Sequence, residues 1–315
     1  MICKPNGGKQ GFLRAMDEGR EKKRRLYAIL AVLCLLAAVA GVVTLLIAKE
    51  RRRKAEEDYA RMAQSVNTVA TVQEPEEEKA DPAEEPAEPE PEPEAEEAEE
   101  PEKTEEELLL EEMGAEVPEK EIDWDELHGE NEDIYAWLTV PGTLVDHPVL
   151  QHPTDNYYYL NRNPDRSYGL PGSLYTENYN AKDFSDPNTV IYGHKLRSGQ
   201  MFASLHNLED TELTEENHFF YIYTEDATYV YLIFAVYEYP ARHLLLNFDL
   251  ANDYVFEQYL QDILNKYETR PGGVANVREG MELSAEDRIV TLSTCTWDSS
   301  KSYRFLVAGQ LLVVL

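Results

Sequence analysis

Residues 26–48 form a run of 23 without a single charge, set between Lys22-Lys23-Arg24-Arg25 and Lys49-Glu50-Arg51-Arg52-Arg53-Lys54. At about 1.5 Å of helical rise per residue, such a run crosses a hydrocarbon core of roughly 30 Å. It divides the chain into a short basic tail, one span and everything beyond. A cleavable signal peptide has a shorter apolar region and a small-residue exit site, whereas this run ends in a cluster of cations, so it reads as an uncleaved single-pass anchor. Cys34 lies inside it, but the bulky Leu33 stands where a lipoprotein cleavage site needs a small side chain. Lys and Arg number eight before the run and six from Lys49 to Arg61, a small excess that favours a cytoplasmic N-terminus.

The formal charge of -32 belongs largely to one segment. Between Glu74 and Glu112 there are twenty Glu and one Asp against Lys79 and Lys103, a net of -19. Residues 74–101 hold seven prolines and almost nothing apolar, so they cannot bury enough surface to offset chain entropy. Repeated proline and mutually repelling carboxylates predict a disordered, extended spacer, with an acidic docking tail as the rival reading. No nucleic-acid partner is expected of so acidic a chain. The composition predicts a basic tail (1–25), a transmembrane helix (26–48), a juxtamembrane segment with a Glu/Pro-rich linker (49–118), and one folded domain (119–315).

Short apolar runs dominate that domain. Asp123-Trp124-Asp125-Glu126-Leu127-His128 predicts a short helix with Gly129 as its stop. Strand patterns cover 134–140, 145–151, 172–176, 189–192, 219–223 and 228–239, the last two split by Thr224-Glu225-Asp226-Ala227 as in a hairpin. His147 and Pro148 predict an edge position for the second of these. Asp155 to Leu160 is a dense aromatic turn, with packing as its simplest role. From Asp253 the period changes: Phe256, Tyr259, Leu260, Ile263, Leu264 and Tyr267 recur at three and four, predicting an amphipathic helix capped by Asn252. Many short strands with few helices predict a mainly β fold, a barrel or sandwich.

Chemistry gathers near the C-terminus. Arg288 to Cys295 reads as a strand, Thr296 to Ser302 as a polar turn, and Tyr303-Arg304-Phe305-Leu306-Val307 as the returning strand. Cys295 therefore sits at a strand mouth, where a thiol can react, and Arg304 stands on the neighbouring strand, where a guanidinium can hold a thiolate or an oxyanion. Cysteine is also among the most buried residue types, so on position alone Cys295 is equally a packing residue. Cys3 and Cys34 offer it no disulfide partner, since one is in the basic tail and the other in the apolar run. Val190-Ile191-Tyr192-Gly193-His194 places a histidine just past another strand, with the pKa of about 6.5 that suits proton transfer near neutrality. His128, His147, His152, His206, His218 and His243 lack an equivalent setting and receive no role.

Thr291-Leu292-Ser293-Thr294-Cys295, His194 behind its strand and glycine, and Arg304 before Phe305-Leu306-Val307 together resemble the sortases, membrane-anchored cysteine transpeptidases of Gram-positive surfaces. The similarity covers residues 122–315. The segment from Trp124 to Trp137, the Asp155-to-Leu160 turn and the helix before the cysteine strand look like the additions of class B. The resemblance implies a closed β-barrel with short N-terminal helices and one long helix before the cysteine strand. It implies that Cys295 attacks the Thr carbonyl of a Leu-Pro-any-Thr-Gly-like or class B sorting motif, with His194 as acid and base and Arg304 on the oxyanion. By the same match Asn156, Leu160 and Ser293 are substrate contacts, with turn and barrel packing as their alternative role.

The implied partners are surface proteins bearing a C-terminal sorting signal and a peptidoglycan precursor or cross-bridge amine. No cofactor is expected, and the carboxylates show no metal-ligand spacing. Three rival readings stand beside this one: a pilin lysine as acceptor, a hydrolytic cysteine peptidase, and a membrane-tethered binding module in which Cys295 is packing.

Overall fold

The chain, seen in a computed structural model, is described over residues 8–68, 103–213 and 217–315. The acidic spacer expected over 74–101 lies outside the described residues. Two units make up the chain, Met1–Lys54 and Ala55–Leu315. The first is helical: α1 (Gly8–Thr68) begins in it, and its uncharged stretch is exposed, with a length and composition sufficient to cross a membrane.

The second unit is a β-barrel. Its strands are β1 (Ile134–Val140), β2 (Val145–Leu150), β3 (Leu174–Thr176), β4 (Asn188–Tyr192), β5 (Phe219–Tyr223), β6 (Thr228–Pro240), β7 (Ala275–Val277), β8 (Ile289–Cys295) and β9 (Tyr303–Val314). They run in the order β5-β1-β2-β3-β4-β8-β9-β6-β7, and the additional β5–β6 pairing closes the first eight into a ring with β7 appended to β6. Neighbours are antiparallel except β2–β3 and β4–β8. The two-residue alternation of a strand sorts the side chains. Ala136, Leu138, Val290, Leu292, Phe305 and Val307 fill one core, while Ile289, Leu306 and Ala308 belong to a second core on the opposite face of β8 and β9.

That second core is covered by α5 (Asp253–Leu264), which follows the single turn α4 (Leu244–Asn247) and whose Phe256, Tyr259, Leu260 and Ile263 are buried. Asn252 caps it as expected, its side-chain oxygen accepting from the Val255 N–H at 3.3 Å. The helix stops three residues before the predicted Tyr267. Lys266 turns left-handed (φ 61°), and the Tyr267 N–H reaches back to the Asp262 carbonyl, a Schellman closure that leaves the Tyr267 ring 73% exposed. A cation in place of the usual glycine hides this stop.

The edge position predicted for β2 is corrected. β2 lies between β1 and β3, but β3 pairs with it only at Val149 and Leu150. His147 and Pro148 thus occupy the half of the strand that has a neighbour on one side only, which is where a proline is tolerated.

Two short helices, α2 (Glu105–Met113) and α3 (Trp124–Glu130), precede the barrel. Thr104 and Glu107 form a reciprocal capping box on α2, and Asp123 caps α3 by accepting from the Glu126 N–H at 2.8 Å. The last part of α1 also packs on this unit: Ala55, Tyr59, Met62 and Val66, spaced at four, three and four, are all buried. Tyr59 donates its hydroxyl to the Gly172 carbonyl at 2.6 Å and sets its ring edge-on to His147 at 5.1 Å.

His147 carries a consequence for acid stability. Neither of its ring nitrogens has a hydrogen-bond partner among the described residues, and burial pushes its imidazole down to about 4, against a smaller upward pull from Asp146. The unfolded chain binds the proton near pH 6.5 and the folded chain only near 4, so this site's contribution is present above 6.5 and is lost as the pH falls through that window. Between pH 7 and 4.5 the loss from this one group is about 2.5 kcal/mol. In chemical denaturation of the full chain in detergent, His147→Phe is expected to flatten the acid limb by that amount. Identical acid limbs in the two proteins would contradict the assignment.

Candidate active site

The parallel pairing of β4 with β8 ends at Tyr192 and Ser293. One step on, the Gly193 N–H donates to the Ser293 carbonyl at 3.1 Å, and the Thr294 hydroxyl donates to the Gly193 carbonyl at 2.8 Å. His194 and Cys295 therefore leave adjacent strand ends whose backbones run about 4.8 Å apart. Glycine is required at 193 for space rather than for a turn. A Cβ there would lie 2.5 Å from Phe202 and 2.6 Å from Leu174.

On its other side β8 pairs with β9, and the last pair in that register is Cys295 opposite Arg304. Directly opposed residues of an antiparallel ladder put their Cβ atoms about 5 Å apart on one face. Through Nη1 Arg304 donates to the Tyr303 carbonyl at 3.0 Å and to the Ser300 carbonyl at 3.5 Å, and among the described residues it forms no ion pair, so Nε and Nη2 are open to a ligand. Cys295 is a free thiol, and all three side chains are half-buried. The sulfur is not sealed in the interior. The structure sets the ends of β4, β8 and β9, which carry His194, Cys295 and Arg304, side by side, with His194 brought from about a hundred residues upstream.

His194 is held from two sides. Its Nε2 meets the Leu160 carbonyl, and its own carbonyl accepts from the Phe202 N–H at 3.0 Å. A carbonyl only accepts, which assigns the hydrogen to Nε2 and leaves Nδ1 for proton exchange. Gly172, at φ 75°, packs beneath the ring; a Cβ there would come within 2.8 Å of the imidazole carbon.

Beside Arg304 a cleft of about 190 Å³ is lined by Tyr157, Tyr175, Tyr192, His243, Ser293 and Leu306, among others. Ser293 thus stands in the cleft. Leu160 contributes its carbonyl to His194, and the Asn156 amide oxygen accepts from the Asn178 N–H at 2.7 Å, bracing the aromatic turn against the loop after β3. Residue patterns gave no sign of the cleft's buried carboxylate. Glu177, only 3% exposed, accepts from Tyr192 at 3.2 Å and pairs with His243 Nε2 at 2.9 Å. Burial first, then the Glu177 charge, pushes the Tyr192 phenol well above its usual value, so it stays a donor. These partners are 15 and 66 positions from Glu177, a separation at which only the fold reveals the pairing.

The loop between β8 and β9 is tied down twice near its β8 end. Arg270 bridges Asp298 at 2.8 Å and Glu238 at 3.1 Å, and Lys195 donates to the Trp297 carbonyl at 2.6 Å.

The family model described as "Sortase domain" matches residues 138–312. Sortase B of Listeria monocytogenes is 35% identical over 184 residues, covering 58% of this chain and 70% of that protein. The X-ray structure of Clostridium perfringens sortase B superposes with a TM-score of 0.51 at 28% identity, covering 60% of this chain and 99% of the other. Staphylococcus aureus sortase B superposes with a TM-score of 0.52 at 25% identity, covering 67% and 94%. With its closed eight-stranded barrel and this family match, the chain belongs to the sortases, as a cysteine transpeptidase of class B.

Proposed function

We propose that this transpeptidase is held in the membrane by residues 26–48, with its N-terminus cytoplasmic and its barrel facing the cell wall. There it cleaves the C-terminal sorting motif of surface proteins and joins them to a cell-wall amine. The Cys295 sulfur attacks the carbonyl carbon of the motif's Thr, and the C–N bond to the next residue breaks as His194 passes a proton to the departing amine. The thioacyl carbon is then attacked by the incoming amine, His194 takes its proton, and the thiolate leaves. Arg304 offers its planar donors to the oxygen that becomes negative in both steps. One observation carries this reading: Cys295 faces Arg304 across the last pair of β8 and β9, with His194 leaving the adjoining strand end beside an open cleft.

The experiment presents the full chain in detergent micelles with a library of sorting-motif peptides and candidate amines, and identifies products by mass. The expected product is peptide cut after Thr and joined to the added amine, with the fraction joined rising with amine concentration. Release of free acid at a rate and yield indifferent to any amine would contradict transfer and indicate a hydrolase. Preference for a peptide lysine over cell-wall amines would move the acceptor to a pilin.

A further inference from the structure

The end of β8 leaves one backbone group exposed to a problem. Ser293 turns its carbonyl toward β4, where the Gly193 N–H meets it. Two residues on, the Cys295 carbonyl points to the same side of the strand, but β4 ended at Tyr192 and the chain has turned away. A buried carbonyl without a donor costs about as much as a lost hydrogen bond. The donor present there is a side chain, His206, whose Nε2 lies 3.1 Å from the Cys295 oxygen.

His206 belongs to the 3-10 turn Phe202–Leu208, whose Phe202, Leu205 and Leu208 are buried. The imidazole itself is 4% exposed. It is sandwiched between Phe305 at 4.1 Å and Trp297 at 4.8 Å, nearly parallel to both. Its Nδ1 meets the Glu209 carboxylate, three residues along the chain. The stack fixes the plane of the ring, and the carboxylate fixes its rotation within that plane, so the Nε2 hydrogen is aimed at one acceptor. The first residue of the same turn, Phe202, donates its N–H to the His194 carbonyl. One short turn thus holds the backbone of both reacting residues.

We propose that His206 is a positioning residue for the transfer reaction: by holding the Cys295 carbonyl, with Glu209 orienting its ring, it fixes the backbone rotation that aims the sulfur. It does not touch substrate, and His206 and Glu209 do not line the cleft beside Arg304. The inference rests on Cys295 being the nucleophile. A misplacement of the sulfur by about 1 Å costs on the order of 10²-fold in rate while leaving substrate binding unchanged.

The test uses the full chain in detergent with a sorting-motif peptide and follows formation of the thioacyl adduct in single turnovers. His206→Phe keeps a ring in the stack and removes both ring nitrogens, the Nε2 donor among them; it is expected to lower kcat by roughly 10² with KM within about twofold. His206→Gln restores an N–H near the position of Nε2 and is expected to recover most of that loss. Glu209→Gln, a milder change that leaves the ring in place, is expected to cost several-fold in kcat. A spectroscopic reading accompanies the rates. Cysteine labelled at the carbonyl carbon and threonine labelled at nitrogen mark a single peptide bond, Cys295–Thr296, because Cys3 and Cys34 precede other residue types. Its carbonyl resonance should shift in the Phe variant and return toward wild type in the Gln variant.

Wild-type kcat in His206→Phe, equal losses in Phe and Gln, or an unmoved carbonyl resonance would each overturn the proposal. If the Phe variant does not fold, unchanged kcat and resonance in Glu209→Gln overturn it. Cys295→Ala in parallel separates this failure from that of the parent reading: only if the alanine variant still turns over is the nucleophile itself wrong.

Discussion

Cys295→Ala is expected to end thioacyl formation altogether, with turnover of a sorting-motif peptide falling by at least about 10⁴-fold and no adduct detectable by intact mass. No neighbouring group can replace the sulfur. Ser293, on the same face of β8, is 7% exposed and lies two residues away from the Cys295–Arg304 pair. The substitution should leave the fold intact, because Cys295 is half-buried at the last position of β8 and alanine removes a single atom from a partly solvated site. A melting transition within a few degrees of wild type would accompany the lost activity. Substantial cleavage by the alanine variant would return Cys295 to the packing role that its position alone also allowed.

Arg304→Lys is expected to lower kcat by about 10² to 10³, with a smaller change in KM. The residue opposite Cys295 must reach a developing oxyanion while part of its fork remains tied to the Tyr303 carbonyl at 3.0 Å. A planar guanidinium can do both, whereas an ammonium on a flexible stem is a point charge that serves one acceptor at a time. Lysine keeps the positive charge, so a variant with wild-type kcat would show that charge alone is needed and would remove the oxyanion role from Arg304. A variant losing only KM would place Arg304 on the substrate in its ground state instead.

The local patterns carried much of this architecture. β-branched and aromatic runs marked β1, β5, β6 and β8 within a residue or two and the start of β9, which runs on to Val314 past the predicted Val307, and the change of period at Asp253 marked α5, because each pattern is set by burial of one face of one element. Cys295 and Arg304 were legible as a pair because a short polar loop forces their two strands into antiparallel register. Errors arose where tertiary context decides. α5 ends early through a left-handed Lys266 where sequence signals lead one to look for glycine. β2 is interior because β3 pairs with its final two residues, yet the three-residue length of β3 leaves His147 and Pro148 with one neighbour, and no local pattern encodes that length. Gly193 is there because Phe202 and Leu174 leave no room for a side chain, a close approach that no local pattern reveals.

Histidines 206 and 243 were given no role, and both are partnered near Cys295 and Arg304. Each meets its partner through a contact that spans much of the chain, 89 residues to Cys295 and 66 to Glu177. A lone histidine outside a strand end carries no mark of such a contact. The 3-10 turn that presents His206 is positioned by its own buried Phe202, Leu205 and Leu208, which locally resemble any apolar turn.

Whether Cys295 carries the acyl group is decided by a single-turnover reaction of the full chain with a sorting-motif peptide, quenched in acid, digested and mapped by mass. One acyl adduct is expected, on the sulfur of Cys295, that forms before product and disappears faster as an amine is added, in step with the amide product. An adduct on any other residue, or product released at full rate with no adduct at Cys295, would contradict it.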